Sequence, residues 1–201
     1  MSAAPQVILA SASSSRRQLL ANAGVSFRVE PAPVDESEVK AALRAEDAPA
    51  SAVAETLAEL KATQVSRRHP GALVIGADQM LDCGGVWLDK PQSLEEAAGH
   101  LAFLSGKTHR LLASVCVLRA GARLWHHNED AALTMRALDE DFIADYLDKV
   151  GALALESVGA YQLEGLGAQL FSRIEGDYFT ILGLPLLPLL DFLRNHHVVP
   201  R

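Results

Sequence analysis

The stretch Val7–Leu20, VILASASSSRRQLL, decides how the rest of the chain is read. An apolar run passes through small residues into a helical pattern, which predicts a buried strand over 6–10 and a helix over 15–23 stopped by Gly24. Ser13 or Ser14 is placed to cap the first turn, because a hydroxyl there accepts a hydrogen bond from an orphan backbone N–H. Arg16 and Arg17 follow in that turn, where the helix dipole already presents about half a positive charge. No Asp or Glu is near enough in sequence to offset them. Backbone N–H groups, serine hydroxyls such as that of Ser13, and two arginines together describe a cradle for a phosphate-like anion. The alternative is a serine-capped surface helix with two solvated arginines.

Outward from this stretch, residues 26–30 alternate as a half-buried strand, and Pro31 and Pro33 enforce an extended loop into Val34-Asp35-Glu36-Ser37. Residues 51–68 form the clearest long helix, with an apolar stripe through Val53, Ala54, Leu57, Ala58, Leu60, Ala62 and Val65 and with Lys61 at its edge. Pro70-Gly71 ends that helix, and 72–77 is a short apolar strand closing on Asp78. A hairpin over 80–88 turns at Gly84-Gly85, and Asp89-Lys90-Pro91 leads to a helix capped by Ser93. Two strands over 109–119 and 124–135 meet at Ala120-Gly121, and a helix with an acidic start covers 139–150. The glycine-punctuated segment 159–171 reads as strand–loop–strand, and Gly183-Leu184-Pro185 opens a leucine-rich C-terminal helix. With no repeat and no linker, the alternation predicts one domain over 1–201, of α/β or α+β class, built round a central mixed sheet flanked by helices.

At 201 residues, 49% hydrophobic and 21% charged, the chain has an ordinary globular composition. Its net charge of -7 argues against non-specific binding to nucleic acid or anionic membrane. Cys83 and Cys116 lack metal-ligand spacing and suggest no disulfide framework. No leader pattern and no apolar run near the ~18 residues of a membrane span is present, so a cytoplasmic location is expected.

Asp78 ranks first among the carboxylates, since it follows a buried strand at the sheet edge where open α/β folds place ligands. A turn residue or helix cap is the bland reading of a lone Asp there. Asp35 and Glu38 fit a helix-start signature that leaves Glu36 without a role. If Glu36 and Asp78 meet, they form a hard-oxygen site suited to Mg²⁺ or Mn²⁺, completed by water and phosphate oxygens. Lys61 and Lys90 are the candidate counter-charges, against the plain readings of a snorkelling lysine and a solvated loop lysine. The chain has no G-x-x-x-x-G-K-[ST], no G-x-G-x-x-G after a strand and no G-x-S-x-G, which sets aside P-loop, Rossmann and hydrolase-elbow chemistry.

LASASSSRRQLL, VDES, LAELKA, IGADQ, DKP, LSGKTH, GAYQLEG and GLPL stand in this order along nearly the whole chain. Together they resemble the Maf family of nucleoside triphosphate pyrophosphatases, also called septum-formation inhibitors. The resemblance implies a twisted Maf/ITPase-like sheet with a cleft between two lobes, and a cytoplasmic, divalent-metal-dependent homodimer. It implies cleavage of a nucleoside triphosphate to the monophosphate and pyrophosphate. It places Ser11, Arg16, Glu36, Lys61, Asp78 and Lys90 in the pocket, with Asp78 as proton acceptor. Gln79 and Glu164 look like the 7-methyl-GTP group, where dTTP/UTP-type members carry threonine and glutamine. Ser15 departs from both groups, and Ala12 and Ser14 replace the usual Gly and Pro of the first motif. A carboxylate is acceptor-only, so Glu164 suits the paired N–H donors of guanine better than the carbonyls of thymine or uracil. The rival class is a nucleotide-binding regulator of cell division with little turnover. Paired acids beside a triphosphate speak for hydrolysis, since without metal they would repel it.

Overall fold

The computed structural model describes residues 5–200, so the first residues, on which the expected lack of a leader was partly judged, lie outside it. Seven strands form one mixed sheet: β1 (Val7–Leu9), β2 (Arg28–Val29), β3 (Leu73–Cys83), β4 (Val86–Leu88), β5 (Thr108–Arg119), β6 (Ala122–Met135) and β7 (Phe171–Glu175). Their order is β2-β1-β3-β5-β6-β7, with β4 also on β3. The helices are α1 (Ser14–Asn22), α2 (Glu36–Ala45), α3 (Ala50–Arg68), α4 (Leu94–Leu104), α5 (Glu140–Val150), α6 (Tyr178–Ile181) and α7 (Leu186–Asn195). Contacts divide the chain into two compact units, the first of residues 1–79, 113–129 and 178–201 and the second of 80–112 and 130–177. No helix among the described residues is long and apolar enough to cross a membrane.

In the first unit β1 pairs in parallel with both β2 and β3, in the register Val7↔Leu73, Ile8↔Val74 and Leu9↔Ile75. Strand alternation then sorts side chains onto two covered faces. Val7, Leu9, Leu73, Ile75, Ala77, Val115 and Val117 pack against Leu19 and Leu20 of α1 and Leu186, Leu189 and Leu193 of α7. Ile8, Val74, Cys116 and Leu118 pack against Ala58, Ala62 and Val65 of α3. Burial on both faces explains why β1 and β3 read as continuous apolar runs. The strand expected over 26–30 shrinks to two residues, Arg28–Val29.

Two expectations need correction. Asp78 does not end a strand, because β3 runs on through it to Cys83. What ends there is the neighbour: the last backbone bond from this side is Ala10 N to Ile75 O at 2.8 Å, after which the chain leaves β1 for the Ser11–Ser13 turn. Asp78 thus stands where β1 leaves off, inside a longer strand. The second correction concerns 159–171, which forms short 3-10 turns (Val158–Ala160 and Leu166–Leu170) and joins the sheet only at Phe171. Gly159 has φ +77° and Gly167 lies against its own chain, where a Cβ would stand 2.4 Å from the Gln162 carbonyl oxygen. A segment folded back on itself this tightly cannot stay in a ladder.

The second unit packs α4 against α5 and the turns after it. Its β4 pairs antiparallel with β3 across the Gly84-Gly85 turn, and β7 pairs antiparallel with β6. His109 is buried, and its Nε2 shares a 2.7 Å hydrogen bond with the Tyr161 hydroxyl. Nδ1 has no partner among the described residues. Burial lowers the His109 pKa from 6.5 to about 4. The unfolded chain therefore takes up this proton near pH 6.5 and the folded chain only near pH 4. Stability falls as pH drops through that window, by about 3 kcal/mol from this residue. Urea denaturation at pH 7 and pH 4 checks this: His109→Gln should lose less stability than the parent by about that amount.

Candidate active site

Asp78 leaves β3 on the same side as Val74 and Gly76, the side covered by α3. Gly76 sets how near the helix comes. A Cβ at that position would stand 2.1 Å from the Ala58 carbonyl oxygen and 2.8 Å from Ala62 Cβ. With Ala58 and Ala62 pressed onto the strand, Lys61 is carried over the sheet and is only 8% exposed. Its Nζ donates to Asp78 Oδ1 at 2.5 Å and pairs with Glu36 Oε1 at 2.6 Å.

Glu36 reaches this lysine because α2 begins with it. Asp35 caps the helix by accepting from Glu38 N at 3.1 Å, and an acid at the first helical position suits the dipole. The cap and the site are therefore one device: Asp35 and Glu38 start the helix that presents Glu36. Burial pushes the Glu36 carboxyl up, yet the charge and hydrogen bond of Lys61, with Lys40 and Arg16, hold it below the usual range.

Arg16 approaches from α1. Ser13 caps that helix, its hydroxyl accepting from Arg16 N at 3.3 Å, while Ser13 N itself donates to Ser11 Oγ at 3.3 Å. Arg16 is also only 8% exposed. Nε donates to Gly183 O at 2.7 Å, and Nη1 donates to Ala77 O at 2.9 Å and Ser11 Oγ at 3.1 Å. The Ala77 carbonyl lies on the same edge as that of Ile75, so Arg16 takes up the backbone edge that β1 vacates. Burial lowers the Arg16 pKa, with the nearby Asp78 and Glu36 carboxylates pulling the other way. Two cations and two carboxylates thus lie together, and their formal charges cancel.

Gln79 points to the opposite face. Its Nε2 donates to Thr180 O at 2.9 Å and Ile181 O at 3.2 Å, so its amide holds the turn between α6 and α7. Ser15 is half-buried and Arg17 exposed in the first turn of α1. Lys90 and Glu164 belong to the second unit. Lys90 is exposed between β4 and α4, and its carbonyl accepts from Gln92 Nε2 at 3.0 Å. Glu164 is exposed on the turn where Gly165 N donates to Gln162 O at 3.2 Å. Gly183 was read from sequence only as the start of a helix, and Gly76 was not singled out, although a glycine inside an apolar strand is a recognised sign of close backbone approach.

Glu36 and Asp78 both pair with the one Lys61 nitrogen, at 2.6 Å and 2.5 Å, so the two carboxylates converge on one spot. Among the described residues no group of three or more His, Cys, Asp or Glu is clustered for metal binding. Two hard carboxylates with the other positions left to phosphate and water is the usual Mg²⁺ pattern at nucleotides, so the donor set fits such an ion.

The family described as Maf-like protein matches residues 6–196. The chain is 57% identical over 194 residues to a nucleoside triphosphate pyrophosphatase of Paramagnetospirillum magneticum, covering 96% of this chain and 100% of that one. It is 55% identical over 191 residues to a 7-methyl-GTP pyrophosphatase of Rhizobium etli, covering 95% and 96%. A nucleoside triphosphate pyrophosphatase of Granulibacter bethesdensis is 53% identical over 194 residues, covering 96% and 98%. With a match that runs almost from end to end, and a site drawn from five of its motifs, the chain belongs to the Maf family.

Proposed function

We propose that the chain hydrolyses a nucleoside triphosphate to the monophosphate and pyrophosphate, with a 7-methyl-GTP-like nucleotide as its preferred substrate. The observation that carries this reading is the cluster of buried Arg16, Lys61 and Asp78 with the exposed Glu36 at its rim, in relatives whose names state this activity. Glu36 and Asp78 would hold Mg²⁺ or Mn²⁺, which when bound lowers the pKa of water and withdraws charge from phosphoryl oxygens. Asp78 accepts the proton of the water that attacks the α-phosphorus, and the pyrophosphate departs on the opposite side. Lys61 keeps the two carboxylates apart in charge at rest and offers its ammonium to phosphate oxygens. Arg16, fixed by three acceptors, contributes positive potential without rearranging, which is where preorganised electrostatic catalysis comes from. Ser11 and Ser13, with the α1 N-terminus and Arg17, would receive phosphate oxygens. Lys90 would add charge on the leaving group. Residues 1–201 act as one catalytic domain in a homodimer.

Glu164 is proposed to read the base, with Gln79 and Ser15 shaping the choice. A panel of 7-methyl-GTP, GTP, dTTP and UTP, assayed for pyrophosphate with Mg²⁺, Mn²⁺ or EDTA, tests both the reaction and its metal requirement. The parent should favour the methylated guanine nucleotide, and EDTA should abolish release. Glu164→Gln should lower kcat/KM for 7-methyl-GTP relative to UTP by about tenfold or more, as expected for an unmatched polar contact. Relative values that stay the same across the panel would remove Glu164 from the base site.

A further inference from the structure

Ser114 lies in β5 and is 1% exposed, yet its hydroxyl has no hydrogen-bond partner among the described residues. Contacts between β3 and β5 give its place in the sheet. The Cys116 thiol lies against the Gly76 backbone, and Cys83 Sγ donates to Thr108 O at 3.8 Å. One strand advances as the other recedes, so the two are antiparallel. Asp78 is two residues after Gly76, and Ser114 is two before Cys116. Both occupy the α3-covered face, as Cys116 and Leu118 do. Ser114 is therefore the cross-strand neighbour of Asp78, and such pairs have Cβ atoms about 4.5–5.5 Å apart. Lys61 from α3 occupies Asp78 Oδ1, Glu36 from α2 shares that lysine, and Arg16 from α1 adds charge nearby.

We infer that Ser114 is a positioning residue for Asp78, its hydroxyl donating through one bridging water to Oδ2. A buried hydroxyl without a partner is costly to keep, and the following positions on the same face, Cys116 and Leu118, pack among apolar side chains, so packing alone does not call for serine. Held at Oδ1 by Lys61 and at Oδ2 through Ser114, the carboxylate cannot turn about its last bond. It then meets the attacking water in one orientation. This rests on Asp78 being the proton acceptor.

The test compares Ser114→Ala, Ser114→Thr, Asp78→Asn and the Ser114→Ala/Asp78→Asn double variant, by kcat, KM and melting temperature. Ser114→Ala should lower kcat about tenfold, in the range seen for groups that orient a reacting one, with KM changed less than about twofold. Its melting temperature should equal or exceed the parent's. Ser114→Thr keeps a hydroxyl and should restore most of kcat. In the Asp78→Asn background, Ser114→Ala should add nothing. A parental kcat for Ser114→Ala, a loss explained by lowered melting temperature, or the same loss in both backgrounds overturns the role of Ser114. Parental turnover by Asp78→Asn itself overturns instead the assignment of Asp78.

Discussion

Asp78→Asn should release pyrophosphate about two to four orders of magnitude more slowly than the parent, the range for losing a positioned acid or base. The fold should survive, because the asparagine carbonyl still accepts from Lys61 and Glu36 still neutralises that ammonium at 2.6 Å. A buried cation stripped of every partner would be far more disruptive. Single-turnover assays with nucleotide in hand, beside a circular dichroism melt, separate the two effects. Near-parental turnover in a folded variant would mean that another group takes the proton.

The second large effect concerns a residue with no chemistry of its own. Gly76→Ala inserts a methyl group where only 2.1 Å separates it from the Ala58 carbonyl oxygen. The neighbour is helix backbone, which cannot swing aside as a side chain would, so α3 must retreat from β3. We expect a loss of about 3 kcal/mol, the upper part of the range for overpacking. Turnover should fall as well, since the retreat draws Lys61 away from Asp78. Gly71→Ala is the control: nothing lies within 4 Å of its added carbon, and a change within about 0.5 kcal/mol is expected for such a surface site. Equal denaturation midpoints for the two variants would contradict this account of how helix and strand are spaced.

Much of the first unit was legible because its signals are local. A serine cap, an Asp35–Glu38 start and an apolar stripe each depend on residues within a turn or two, and α1, α2 and α3 begin and end close to where those signals fall. The extent of β3 was not legible, since the residues after Asp78 suit a hairpin equally well. Only the departure of β1 shows that the edge beside Asp78 is open. The 159–171 segment misled for a related reason: its glycines and apolar residues fit a strand, and the contact of Gly167 with Gln162 is a property of the folded loop alone. Arg16 and Lys61 were marked as cations for a ligand. That their first partners are a sheet edge and a pair of acids depends on pairings 61, 17 and 25 positions apart along the chain.

The alternation of β3 has one more consequence. Asp78 and Gln79 are adjacent in sequence but face opposite layers, so an exchange at Gln79 would not be felt first by the acid. Its amide steadies the Thr180–Ile181 carbonyls, and two residues on, the Gly183 carbonyl anchors Arg16 Nε. Under the proposed role of Gln79 in nucleotide choice, an exchange there would thus travel around a relay, loosening the guanidinium from behind and taxing turnover along with selectivity.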